Sequence, residues 1–96
     1  MSTPLVVRTT PQYERLARDL ARAHAEFLTR QEEAVKILRS DPHNRSREHN
    51  ILKLRGVPQG DGQYRLRLRR FRFRYDIYDR DVVLEACSLR REDTYR

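Results

Sequence analysis

The stretch Tyr64-Arg65-Leu66-Arg67-Leu68-Arg69-Arg70-Phe71-Arg72-Phe73-Arg74-Tyr75 decides the fold. It alternates with period two, which is the signature of β-strands, because successive side chains point to opposite faces. Tyr64, Leu66, Leu68, Phe71, Phe73, Tyr75 and Ile77 make one face apolar, while Arg65, Arg67, Arg72 and Arg74 make the other cationic. A hairpin turning at Arg69-Arg70 reconciles the two halves, with 68 opposite 71, 67 opposite 72, 66 opposite 73 and 65 opposite 74. Like charges directly opposite one another destabilise a sheet. Such a face calls for an anion, and phosphates of a nucleic acid are the obvious one.

Working outward, three strands are expected at about 63–69, 71–78 and 81–88, with Asp79-Arg80 turning between the last two. The run Val82-Val83-Leu84-Glu85-Ala86-Cys87-Ser88 is nearly continuously apolar and reads as the central strand. Upstream, Leu5-Val6-Val7 reads as a first strand. Thr10 is placed to cap a helix and Pro11 to occupy its first turn. Tyr13, Leu16, Ala17, Leu20, His24, Phe27 and Leu28 recur at helical spacing, with Glu14, Arg15, Arg18, Asp19 and Arg22 on the solvated side. A bend is expected between His24 and Thr29. Thr29 with Glu32 resembles a capping box for a second helix, which carries Ala34, Val35, Ile37 and Leu38 inward and stops at Asp41-Pro42. Residues 42–50 are polar and irregular. Ile51-Leu52-Lys53-Leu54 reads as a brief strand or a turn, and 57–62 as a loop. The order β-α-α-β-β-β defines an α+β fold: an antiparallel-rich curved sheet with a helical pair packed on one face. The helices then cover the apolar side of the hairpin and leave its arginines open.

The 96 residues fit one domain, 1–96, with a modest core. The net charge of +7 favours RNA, DNA, an acidic membrane or an acidic protein as partner. Of the 21 basic residues 19 are arginine, which binds phosphate through planar, bidentate contacts. The single Cys87 excludes an internal disulfide framework and fits a reducing compartment. No apolar run approaches the roughly 20 residues that span a bilayer, and the N-terminus lacks a signal-peptide pattern, so a cytoplasmic protein with no membrane partner is expected. The three histidines and one cysteine lack ligand spacing, so no metal or other cofactor is expected. His24 reads as a partly buried core residue, while His43 and His49 lie beside Arg45 and Arg47 in the polar loop. Asp76, Asp79, Asp81 and Glu85 can neutralise nearby arginines, and no carboxylate pair stands out for acid–base work.

Four segments taken together resemble the RelE/ParE toxin superfamily of type II toxin–antitoxin modules. They are Leu52-Lys53-Leu54-Arg55-Gly56, Tyr64-Arg65-Leu66-Arg67-Leu68, Phe71-Arg72-Phe73-Arg74-Tyr75 and Arg90-Arg91-Glu92-Asp93-Thr94-Tyr95. The resemblance spans nearly the whole chain. RelE-like members are endoribonucleases that cut mRNA in the 30S ribosomal A site. ParE-like members share the fold and poison DNA gyrase, without nuclease activity. The RelE-like active site maps onto Arg65 and Arg67, then Arg72, then Arg91 and Tyr95, and a complete set favours the nuclease branch. The resemblance also implies a cognate antitoxin as partner.

Metal-independent RNA cleavage by this branch proceeds by attack of a 2′-OH on the adjacent phosphate. Arg72 and Arg91 are the expected stabilisers of charge on the phosphorane. Arg65 and Arg67 are expected to hold flanking phosphates. Arg74, Lys53 and Arg55 are expected to add RNA contacts. Some relatives carry lysine where Arg65 and Arg67 stand. Arginine does not give up its proton, so neither serves as a general base here. Tyr95 is left as the candidate base, or else as a residue that stacks on a nucleobase. Many relatives turn between these strands on a glycine, whereas this chain has Arg69-Arg70 at a place where positive φ favours Gly or Asn.

Overall fold

The computed structural model describes residues 5–90. In chain order the elements are β1 (Val6–Thr9), α1 (Pro11–Ala23), α2 (Phe27–Ser40), β2 (Ile51–Lys53), β3 (Tyr64–Leu68), β4 (Phe71–Tyr78) and β5 (Asp81–Leu89). The five strands form one sheet in the order β1-β5-β4-β3-β2. β1 runs parallel to β5, and every other pairing is antiparallel. The fold is therefore α+β, as the element order predicts, and residues 51–53 resolve as a short edge strand. The middle strand is β4, not the last strand. β5 is interior but second in the sheet, because β1 adds beyond it.

The hairpin register agrees with the expected one at all four positions, with Leu66 opposite Phe73 and Arg67 opposite Arg72. The apolar face of that hairpin lies under both helices. Leu66, Phe71, Phe73, Tyr75, Val82, Leu84 and Cys87 are buried there against Tyr13, Ala17, Phe27, Ala34 and Leu38. Burial pushes the Cys87 thiol up to about 12, which suits a small core hydrophobe. The Tyr75 hydroxyl donates to the Pro42 carbonyl at 2.8 Å and so anchors the loop that follows α2.

α1 begins as its sequence dictates. The Thr10 side chain accepts from the Tyr13 N–H at 3.0 Å, and Pro11 occupies the first turn. α2 does not. The chain bends at residues 24–26, helix begins at Phe27, and no side chain caps it, so the Thr29–Glu32 capping box does not form. Phe27 is fully buried, 5.4 Å from the Phe71 ring and 5.9 Å from Phe73. Burying such a side chain stabilises by about 1.5–3 kcal/mol. A cap is worth about 1 kcal/mol. Packing wins, and the helix starts where Phe27 needs it. The same start turns Leu28 outward, to 57% exposure, instead of onto the apolar stripe. His24 is half-buried, edge-on to Phe71, as expected.

β5 breaks its own alternation. Arg74 pairs with Ala86 but Tyr75 pairs with Leu84, so Glu85 is the extra residue of a β-bulge. The bulge lets Val82 and Leu84 face the helices before it and Cys87 after it. It also turns Glu85 toward the open face beside Ala86.

Candidate nucleic-acid interface

The open face of the sheet is built from side chains that the pairings place in rows. Nearest the hairpin tip stand Arg67, Arg72 and Ser88. Next come Leu52, Arg65, Arg74 and Ala86. Beyond them lie Asp76 and Val83, with Glu85 bulging alongside, and last come Tyr78 and Asp81. Arg90 continues past β5, its N–H donating to the Arg70 carbonyl. Strand alternation puts its side chain on the same open face as Ser88.

Arg65, Arg67 and Arg72 are half-buried, and the Nε of each is shut off from solvent with no hydrogen-bond partner among the described residues. None of the three, nor Arg90, forms an ion pair there; the arginines that do are Arg8, Arg22, Arg30 and Arg70. Arg65 is partly restrained, since its Nη2 donates to Asn50 Oδ1 at 3.2 Å. Burial, then repulsion from Arg67, Arg72 and Arg90, draws the Arg65 guanidinium below the ordinary arginine value. Buried donors without acceptors are costly to fold, so a cluster of them is a place prepared for an anion.

Arg74 differs from its neighbours. Its Nε donates to the Gly62 carbonyl at 2.8 Å and its Nη2 to the Asp61 carbonyl at 2.9 Å. It holds the 57–62 loop and so does not present a free guanidinium to RNA. Gly62 is required for that closeness: its φ is +83°, and a Cβ there would lie 2.8 Å from Arg74 Cβ. Lys53 is also not in the block. It pairs with Tyr64, on the helix side of the sheet, and its Nζ lies 5.7 Å from the Tyr64 ring centre. Arg55 follows β2 in an exposed turn. Arg91 and Tyr95 lie outside the described residues.

Two features of this face were missed from sequence. One is Arg90, which the strand register brings to the cluster; its position one residue after an alternating strand was the available signal. The other is a carboxylate pair. Asp76 is fully buried and accepts from the backbone N–H groups of Gly60, Gly62 and Gln63 at 3.0, 2.9 and 2.8 Å. Glu85 sits against it, and burial together with the Asp76 and Asp61 carboxylates raises its pKa to about 7. No sequence signal marks that pair, because the bulge that creates it is a property of the sheet.

The fold is that of the RelE-like toxins. Over 94% of this chain and 99% of the other, it superposes on a chain of the archaeal RelE–RelB complex from Pyrococcus horikoshii OT3, with a TM-score of 0.67 at 25% sequence identity. No protein-family model and no curated protein sequence matches the chain. No helix among the described residues is long and apolar enough to cross a membrane.

Proposed function

We propose that this protein is the toxin of a type II toxin–antitoxin module and acts as a ribosome-dependent mRNA endoribonuclease in the cytoplasm. One observation carries the reading: four arginines, Arg65, Arg67, Arg72 and Arg90, share the open sheet face with no carboxylate paired to them among the described residues. The likeness to a chain of a RelE–RelB complex supports both the toxin class and an antitoxin partner.

In this reading the 2′-OH of the bound RNA attacks the adjacent phosphorus to form a 2′,3′-cyclic phosphate, and the bond to the 5′-oxygen breaks as that oxygen takes up a proton from water. Charge that builds on the phosphorane falls to Arg72 and Arg91, because guanidinium donors fixed beforehand need no reorganisation as that charge develops. Arg65, Arg67 and Arg90 bind neighbouring phosphates. Arg74 acts indirectly, by holding the 57–62 loop. Arg55 is retained as an RNA contact, and Lys53 is assigned to the opposite face. Tyr95 takes the proton from the 2′-OH or stacks on a base. The chemistry uses no metal.

The test is induction of the chain without an antitoxin, followed by primer-extension mapping of translated mRNA. Growth arrest with discrete cuts is expected, and Arg72→Ala or Arg91→Ala should abolish the cuts while the variants stay folded. Loss of one such donor typically lowers a rate by about 10²–10³. Intact mRNA with failing DNA supercoiling would replace this reading with gyrase inhibition.

A further inference from the structure

The polar segment between α2 and β2 holds no helix or strand, yet it is closely built. Asp41 Oδ1 accepts from the Arg45 N–H at 2.8 Å, and Asp41 Oδ2 accepts from the Ser46 N–H at 3.1 Å and the Ser46 hydroxyl at 2.7 Å. Asn44 closes the segment on itself. Its Nδ2 donates to the His49 carbonyl at 2.8 Å, and its Oδ1 accepts from the His49 N–H at 3.1 Å. Asn44 and Arg47 hold left-handed backbone, at φ +57° and +62°. Such a conformation persists in a non-glycine residue only where the surroundings hold it. The residue delivered next is Asn50. Its carbonyl accepts from the Arg67 N–H at 2.9 Å, and its parity with Leu52 puts its side chain on the open face. There Asn50 Oδ1 accepts from Arg65 Nη2 at 3.2 Å.

We propose that Asn50 is a positioning residue for RNA cleavage: it fixes the Arg65 guanidinium without cancelling its charge, so that the arginine meets RNA already oriented. The inference rests on the RNA-cleaving reading above and adds a residue to which that reading gives no part. A free arginine side chain has much rotamer freedom and loses it on gripping a phosphate. Asn50 removes part of that freedom before RNA arrives, and the 41–50 segment keeps Asn50 in place to do so. The amide matters. Its oxygen accepts one hydrogen and leaves the positive charge whole, whereas a carboxylate at the same 3.2 Å would pair with the guanidinium and compete with phosphate. Asn50 touches no reacting atom, and Arg65 holds a flanking phosphate, so the effect falls on KM and not on kcat.

The experiment compares Asn50→Ala and Asn50→Asp with the unaltered full chain. It measures steady-state cleavage of ribosome-bound mRNA, thermal melting, and NMR relaxation of the arginine Nε–H groups in the free protein. Asn50→Ala should raise KM by about two- to tenfold, the scale of ordering one long side chain on binding, with kcat unchanged. Its Arg65 Nε–H should become more mobile. Asn50→Asp should melt above Asn50→Ala, because an ion pair replaces the lost bond, yet show the higher KM of the two. A residue with only a structural part would order stability and KM alike. In an Arg65→Ala background, Asn50→Ala should add no further rise in KM, since the group it positions is gone. An additive rise there, a loss confined to kcat, or an Arg65 Nε–H as ordered in Asn50→Ala as in the unaltered protein overturns the positioning role while RNA cleavage stands. If the unaltered protein cuts no mRNA, the RNA-cleaving reading fails, and the role of Asn50 in it fails too.

Discussion

Arg72→Glu should make the protein more stable and inactive at once. Arg72 lies directly opposite Arg67 across β3 and β4, with Arg65 in the adjoining row and Arg90 past the strand end. A like-charged pair facing across strands is destabilising, and an opposite-charged pair favourable, by roughly 0.2–1 kcal/mol each. Converting one into the other sums to about 1 kcal/mol in favour of the fold. The Arg72 Nε makes no hydrogen bond among the described residues, so its removal forfeits none there. For a domain of this size, 1 kcal/mol moves the Tm by about 4–8 °C. The assay is thermal melting by circular dichroism at low and high sodium chloride, in a buffer without phosphate. The unaltered protein should gain stability with salt, since screening weakens repulsion between the guanidinia over a Debye length of about 10 Å at 0.1 M. The variant should melt higher at low salt and lose that gain. A variant that melts lower than the unaltered protein, with the same salt response, would refute the idea that this face is held under charge repulsion.

Stability should also depend on pH through Glu85. Its folded pKa of about 7 lies above the ordinary carboxylate value. Between about 4.5 and 7 the folded state therefore keeps a proton that the unfolded chain has lost, so stability falls as pH rises across that window and levels off above it. Urea midpoints at pH 5 and pH 8 should differ less in Glu85→Gln, and an equal difference in the variant would assign the pH dependence to other groups. Arg69 holds φ at +57° in the β3–β4 turn. Arg69→Gly should raise the urea midpoint by relieving roughly 1 kcal/mol of backbone strain, and an unchanged or lower midpoint would mean that the turn is unstrained. Single-turnover cleavage by Tyr95→Phe decides the role of that residue: a general base is worth about 10²–10⁴ in rate, whereas a change within about twofold would leave Tyr95 as a stacking residue.

The alternation of Tyr64 to Tyr75 was enough, by itself, to set the hairpin, its register and the side on which the arginines stand. Period and turn position leave only one pairing in which both faces agree, and a slip of one residue would bury the charges. Thr10 and Pro11 likewise declared the start of α1, because capping is a contact within a few residues. Other features depended on partners distant in the chain. Phe27 settled where α2 begins only by reaching Phe71 and Phe73. The bulge at Glu85 appeared only when β5 had to match β4 and β1 together, and it alone created the carboxylate pair with Asp76. Arg74 carries the same residue type and the same strand parity as Arg72, yet it is captured by the carbonyls of Asp61 and Gly62. Lys53 falls on the far face because the short β2 takes its parity from β3. Sequence determined what each strand could present; tertiary contacts decided which of those groups were left unsatisfied, since a donor's partner is a matter of position in space rather than of spacing along the chain.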